Sequence, residues 1–264
     1  MMTSVLVLLI CLFSQIAVTL AFLVLSVRLI RESGQALTAV FLAFVFALWL
    51  LTDLYWLIYD LMRFESRMPF AANEIGEAAF FLMMAATLGS AVFCDFHFAR
   101  WQAICAILFG ACNAALWIAW SGEWVQDIFI GAAFAYLLYM IACSLKMQRT
   151  LARGEWIAVG CLCLLLVLAQ GLTFVLPGSG KTALETVGSV FLIVGLAYWA
   201  CKLFTAWRKQ AAPKALMPLA FALIVWAILA KYMSDGCLYN LFLTAETLSM
   251  PLLYLTVRKA VTEI

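Results

Sequence analysis

The sequence predicts an all-α fold, a polytopic transmembrane helical bundle, on two observations. Of its 264 residues, 67% are apolar and only 11% are charged, whereas soluble chains average roughly 45–50% apolar and about 25% charged residues. Long apolar runs alternate with short polar connections, a pattern typical of membrane-spanning helices rather than of barrel strands, whose side chains alternate. We therefore expect a single integral membrane domain over residues 1–264.

Nine apolar runs are long enough to cross a bilayer, because a helix needs about 20 residues to span the roughly 30 Å hydrocarbon core. They cover residues 4–28, 37–62, 72–94, 100–120, 124–145, 155–176, 183–206, 214–234 and 237–257. The first run is too long for a cleavable signal and has no basic residue before it, so it is expected to stay as a helix.

A recurring acidic opening divides the remaining eight runs into pairs. Glu77, Asp127 and Glu185 each lie near the start of a run and are each followed by small residues and then apolar ones. The fourth opening contains Asn240 and, further along, Glu246. Such a repeat predicts one helix followed by four tandem helical hairpins. Helix N-termini also favour acidic caps in general, which is the alternative explanation for Asp127 and Glu185.

The basic residues predict the orientation, because lysine and arginine are retained on the cytoplasmic side. With nine spans and the N-terminus outside, twelve of the sixteen basic residues fall inside: Arg28, Arg31, Arg100, Lys146, Arg149, Arg153, Lys202, Arg208, Lys209, Lys214, Arg258 and Lys259. The other four fall outside: Arg63, Arg67, Lys181 and Lys231. The chain is thus expected in the cell membrane as a multi-pass protein, with an extracytoplasmic N-terminus and a cytoplasmic C-terminus.

The carboxylates collect on the opposite side. Ten of the fourteen lie in outer segments or outer helix halves: Asp53, Asp60, Glu65, Glu74, Glu77, Glu123, Asp127, Glu185, Asp235 and Glu246. Asp53 and Glu246 are predicted on the order of 15 Å from the outer helix ends, at 1.5 Å per residue. An ionised carboxylate at that depth costs several kcal/mol and normally faces the protein interior. Lys231 is the predicted cation for Glu246.

These groups predict a polar, acidic, aromatic-lined pocket open to the extracytoplasmic side. Asp53, Trp56, Asp60 and Arg63 recur at i, i+3, i+7 and i+10, which places them on one helix face. The predicted ligand-binding residues are Asp53, Trp56, Asp60, Arg63, Glu74, Glu77, Asn113, Glu185, Lys231, Asn240 and Glu246. The alternative is that the same charges form interhelical salt bridges that only fix helix register.

Several classes of function are disfavoured. A net charge of +2 without a long basic run argues against nucleic-acid binding. The nine cysteines include no C-x-x-C pair and His97 is the only histidine, so neither a metal site nor a cofactor is expected. No catalytic residue is assigned.

Three functions remain after these exclusions. The first is binding of a small cationic or amine-bearing ligand, or of a lipid-like one, in a sensory or accessory role. The expected partners are the lipid bilayer, that ligand and a separately encoded cytoplasmic or membrane protein. The second is an intramembrane hydrolase that uses paired carboxylates on a lipid-like substrate. The third is a small-solute transporter, which needs a site exposed alternately to both sides.

Overall fold

The structure, a computed structural model, describes residues 2–62, 72–92, 99–122 and 124–262, and side chains within 6–58, 75–92, 99–122 and 124–262. Over these ranges it contains nine α-helices and no strand: α1 (Met2–Glu32), α2 (Ala36–Met62), α3 (Ala72–Val92), α4 (Arg100–Ser121), α5 (Trp124–Met147), α6 (Arg153–Thr173), α7 (Ser179–Arg208), α8 (Pro213–Tyr232) and α9 (Gly236–Thr262).

All nine predicted runs coincide with these helices, and each boundary agrees to within five residues. Eight helices, α1 to α8, are long and apolar enough to span a membrane by length and composition, so the predicted polytopic helical bundle is confirmed. The ninth, α9, is longer than a bilayer requires but contains buried polar residues, among them Glu246, Thr247 and Ser249. It packs against α1, α2, α3 and α8, which shields these groups from the surroundings.

The helices form two rings that share the α5–α8 edge. One ring runs through α1, α2, α3, α5, α8 and α9, and the other through α4, α5, α8, α7 and α6, each helix packing against the next. Helix α8 lies at the centre, and every residue from 216 to 230 is buried. This segment includes Pro218, and α9 also has a proline in its interior, Pro251.

Two junctions between successive hairpins, α5 to α6 and α7 to α8, are fully described, and both use the same turn. At the end of α5, Thr150 N–H donates to the Leu145 carbonyl at 3.1 Å, and Arg149 has a left-handed backbone with φ of 49°. The end of α7 repeats this Schellman geometry, with Gln210 at φ of 53°. The recurrence agrees with the tandem hairpins that the sequence predicts.

Small residues bring α4 and α5 into close contact. Gly110 and Ala114 on α4 face Gly131 and Ala135 on α5, so that both helices contribute a Gly-x-x-x-Ala step. A Cβ atom added at Gly110 would lie 2.5 Å from the Ala135 Cβ, and one at Gly131 would lie 2.6 Å from the Ala114 Cβ. Such small-residue faces allow close backbone approach in lipid, where packing rather than hydrophobicity drives association.

Polar side chains close the first ring between α1 and α9. Gln15 Nε2 donates to Glu246 Oε1 at 3.3 Å, and these two residues are 231 positions apart in the chain. One turn further along, Thr19 donates to the Met250 sulfur at 3.4 Å.

The bundle has two ends. The N-terminal end is the side where α1 begins and α8 ends, and the C-terminal end is the side where α9 ends.

Candidate functional site

A cavity of about 840 Å³ lies at the N-terminal end of the bundle, and all nine helices contribute residues to its lining. Its described lining contains six carboxylates, from Asp53, Glu77, Asp127, Glu185, Asp235 and Glu246, and two lysines, Lys181 and Lys231. Eight aromatic residues also line it: Trp49, Trp56, Phe80, Trp117, Trp120, Phe174, Tyr232 and Tyr239. Its size falls in the range of about 300–1,000 Å³ that is common for small-molecule sites.

The predicted ion pair between Lys231 and Glu246 is present. Lys231 Nζ lies 2.9 Å from Glu246 Oε2 and 3.2 Å from Oε1. The Glu246 side chain is 1% exposed, and Lys231 is 13% exposed. Gln15 Nε2 and the Trp49 indole also donate to the Glu246 carboxylate. Glu246 is thus fixed by partners on α1, α2 and α8.

Asp53 has fewer partners than Glu246, because it accepts a hydrogen bond from Thr19 but is in no ion pair of its own with another described residue. Its side chain is 5% exposed and lines the cavity. Lys231, Glu246 and Glu77 all lie close enough to interact electrostatically with it. Its Oδ2 atom has no hydrogen-bond partner among the described residues. Since Lys231 is already paired with Glu246, no described cation is committed to Asp53 alone.

Four other buried polar atoms of the lining share this property. Gln15 Oε1, Trp117 Nε1, Ser234 Oγ and Glu246 Oε2, whose contact is the ion pair with Lys231, have no hydrogen-bond partner within the described part of the chain. Buried polar groups in proteins are nearly always hydrogen-bonded, to protein or to water. Unmet hydrogen-bonding capacity therefore clusters around this cavity.

A continuous row of aromatic rings crosses the bundle beside the cavity. The row begins at Trp49 on α2 and passes through Phe80 and Phe81 on α3, Phe134 on α5 and Trp117 on α4 to Tyr232 on α8. Successive ring centroids in it are 4.7, 5.4, 5.5, 5.8 and 6.1 Å apart. At its far end, the Tyr232 hydroxyl is hydrogen-bonded to Glu77, and Lys231 Nζ lies 5.2 Å from the centre of the Tyr232 ring.

Below this aromatic row, towards the C-terminal end, the bundle is packed with apolar side chains. Met84, Leu88, Leu137 and Phe221 are fully buried there. The residues that line the cavity come from the starts of α1, α3, α5, α7 and α9 and from the ends of α2, α4, α6 and α8, all at the N-terminal end. The cavity is therefore restricted to one end of the bundle.

Six of the eleven predicted site residues line the cavity: Asp53, Trp56, Glu77, Glu185, Lys231 and Glu246. Asp60, Arg63 and Glu74 lie outside the side chains that the structure describes. Asn113 and Asn240 do not line the cavity, and Asn113 donates to the Phe109 carbonyl of its own helix. Glu185 lies in an exposed pair with Lys181, 3.8 Å away.

Two important lining residues were missed in the sequence. Gln15 is fully buried and Trp49 is 4% exposed, and both donate to Glu246. The signal for Gln15 was present, since it is the only amide in an otherwise apolar first run. Trp49 had no such signal, because an aromatic residue within an apolar helix is most often simply packed.

Other charged groups lie outside this site. Lys202 and Glu155 pair α7 with α6 at the C-terminal end of the bundle. Within the described part of the chain, no group of three or more His, Cys, Asp or Glu side chains is arranged to hold a metal ion.

Comparison with known protein families, with curated proteins and with solved structures gives no match. The helices themselves define the class, a polytopic helical membrane protein with a cavity at one end.

Proposed function

We propose that this protein binds a small cationic, amine-bearing ligand in the cavity at the N-terminal end. Asp53 supports this most directly, because it is a buried carboxylate that lines the cavity and retains an oxygen without a partner. Asp53 has two acidic neighbours, Glu77 and Glu246, and one lysine, so an added positive charge would relieve a local excess of negative charge. The aromatic lining suits the same ligand, since ammonium groups are attracted to ring faces.

The role we propose is sensory or accessory. The cavity faces the extracytoplasmic side in the predicted orientation, and the basic loops face the cytoplasm. A ligand would then be detected outside, and a separately encoded cytoplasmic or membrane protein would receive the signal. A site closed by apolar packing at the C-terminal end supports binding more than transport, which requires access from both sides.

The test measures binding of n-butylammonium to the full chain in lipid nanodiscs, by tryptophan fluorescence and by thermal unfolding, with n-butanol as the uncharged probe. We expect saturable binding of the ammonium but not of the alcohol. Asp53→Asn is expected to weaken binding at least about tenfold, because a hydrogen bond to a charged group contributes about 1.5–3 kcal/mol.

Glu155→Gln is the matched control, because it removes the carboxylate of an ion pair at the C-terminal end and leaves the cavity untouched. It should bind n-butylammonium with wild-type affinity. Equal affinity in the wild type and Asp53→Asn, or equal response to butylammonium and butanol, would refute the proposal.

Hydrolysis of a lipid-like substrate is the second candidate, favoured by one observation. Asp53 and Glu246 interact electrostatically but differ in setting, since Glu246 is ion-paired and Asp53 retains an unpartnered oxygen. Carboxylates in unlike settings are suited to separate acid and base roles. This candidate requires turnover of a fluorogenic acyl ester that disappears in both Asp53→Asn and Glu246→Gln, and failure of the wild type to turn over would exclude it for that substrate.

A further inference from the structure

The cavity has two compartments, which follow from the two rings of helices. Helix α1 packs on α2 and α9, whereas α6 packs on α4 and α7. Lining residues of α1 and α6 therefore lie on opposite sides of one continuous cavity. The acidic compartment is the part beside Gln15, Asp53 and Glu246, and the side compartment is the part beside α4, α6 and α7, lined by Leu116, Trp120, Thr173, Phe174 and Ser189.

Tyr232 and Trp117 stand between the compartments. Tyr232 is hydrogen-bonded to Glu77 on α3, which belongs to the first ring. Its ring packs edge-on against Trp117 on α4, which belongs to the second ring, with centroids 6.1 Å apart. Both residues line the cavity, so a bound molecule could extend past this pair from one compartment to the other.

The side compartment differs from the acidic one in chemistry. Leu116, Trp120 and Phe174 are apolar or aromatic, and the hydroxyl of Ser189 is already used on its own helix, where it donates to the Glu185 carbonyl at 2.8 Å. The charges on this side are already engaged, since Lys181 and Glu185 are about half exposed and pair with each other, and Asp127 accepts a hydrogen bond from Ser121 Oγ. The Thr173 hydroxyl donates to the Gln170 carbonyl of its own helix, and Gln170 adds a polar amide to the lining. An apolar group is therefore the chemistry that most of this lining accepts.

We infer that the ligand is amphiphilic, with an amine head at Asp53 and an aliphatic tail in the side compartment. The inference rests on the proposed function and specifies the ligand class of the same site. Size supports it as well, because a head group of a few atoms would fill little of a cavity of about 840 Å³.

A series of n-alkylammonium ions from butyl to decyl tests the tail. Each methylene that leaves water for an apolar site is expected to raise affinity roughly three- to fourfold. Ser189→Phe fills the side compartment from α7 without altering Asp53. The ratio of wild-type to Ser189→Phe affinity should be near one for butylammonium and exceed tenfold for decylammonium.

Val190→Phe is the matched control, because Val190 is the next residue on α7 and its side chain is 51% exposed on the outside of the bundle. Longer amines also partition into the bilayer, but this effect is common to all variants and cancels in the ratio. Thr173→Phe, which fills the side compartment from α6, provides a second variant. Retained butylammonium binding shows that a variant is folded.

The outcomes separate the two proposals. If butylammonium binds and depends on Asp53, but the affinity ratio stays near one along the series for both variants, the amphiphilic ligand is refuted and the proposed function stands. If no alkylammonium binds, or if binding is independent of Asp53, the proposed function fails and the inference fails with it.

Discussion

At the scale of single residues, the pair of Lys231 and Glu246 shows how this protein keeps charges in an apolar setting. Each charge alone would cost several kcal/mol within a bilayer. Their separation of 2.9 Å, together with the donors Gln15 and Trp49, offsets that cost. Asp53 lies in the same cluster with a neighbouring lysine but without an ion pair of its own among the described side chains, which is why we propose that it holds the ligand.

We expect Lys231→Met to lower the free energy of unfolding by about 3–5 kcal/mol, because it leaves Glu246 buried without its cation. The double variant Lys231→Met with Glu246→Gln should regain most of that loss. Unfolding by sodium dodecyl sulfate in mixed micelles measures both. Lys181→Met is the control, since its exposed pair with Glu185 contributes less than about 1 kcal/mol. Equal losses at Lys231 and Lys181 would contradict the buried-pair explanation.

At the scale of helices, packing depends on which residues are small. The α4–α5 contact places glycine and alanine at facing positions, and α7 meets α8 where Gly195 accommodates the Trp226 ring. The Trp226 indole donates to the Leu192 carbonyl at 2.9 Å, which holds the ring against α7. In both cases a glycine, which has no side chain, lets the neighbouring helix approach closely.

Gly131→Val is expected to destabilise the protein by about 1–3 kcal/mol, the usual cost of overpacking. The reason is the 2.6 Å separation from Ala114 that even the first added carbon would have. Thermal unfolding in nanodiscs measures the effect. Gly160→Val on α6 is the matched control, because nothing lies within 4 Å of a Cβ added there, and it should change stability little. Similar losses from both variants would show that the close approach to Ala114 does not set the cost.

At the scale of the whole molecule, the two ends of the bundle have opposite chemistry. The N-terminal end holds the cavity with its carboxylates, and the C-terminal end holds most of the basic residues of the described helices. By the positive-inside rule, we expect the cavity to face the extracytoplasmic side. A ligand reaching it from there would need no passage through the membrane.

Cysteine labelling tests this orientation. In a cysteine-free background, a membrane-impermeant thiol reagent applied to intact cells should modify a restored Cys237, which is exposed at the start of α9. It should not modify Gln210→Cys, which lies in the turn after α7, until the membrane is permeabilised. The reverse pattern would show that the cavity faces the cytoplasm. Labelling of both cysteines in intact cells would show that they lie on the same side of the membrane, which contradicts a single span, α8, between them.

The sequence predicted the helices well, because each apolar run is long and is bounded by charged or small residues. Even α9 was predicted, although Glu246 and its polar neighbours leave it outside the eight helices that are apolar enough to span a membrane. Charged residues within apolar runs also predicted Asp53, Glu246 and Lys231 as site residues, and all three line the cavity. Gln15 stood out as the only amide of the first run, but neither it nor Trp49 could be paired with Glu246, because the contacts of α1 and α2 with α9 are long-range and hairpin periodicity does not encode them.

The contact between α1 and α9 has a consequence for how the protein is inserted into the membrane. Gln15 emerges from the ribosome 231 residues before Glu246. The donors Gln15 and Trp49 therefore have no Glu246 carboxylate to bind until most of the chain has been synthesised. Lys231, by contrast, precedes Glu246 by only fifteen residues. Entry of α8 and α9 as a single hairpin would let the lysine and the glutamate cross the translocon already neutralised, and the ligand site would then be assembled in the final step of biogenesis.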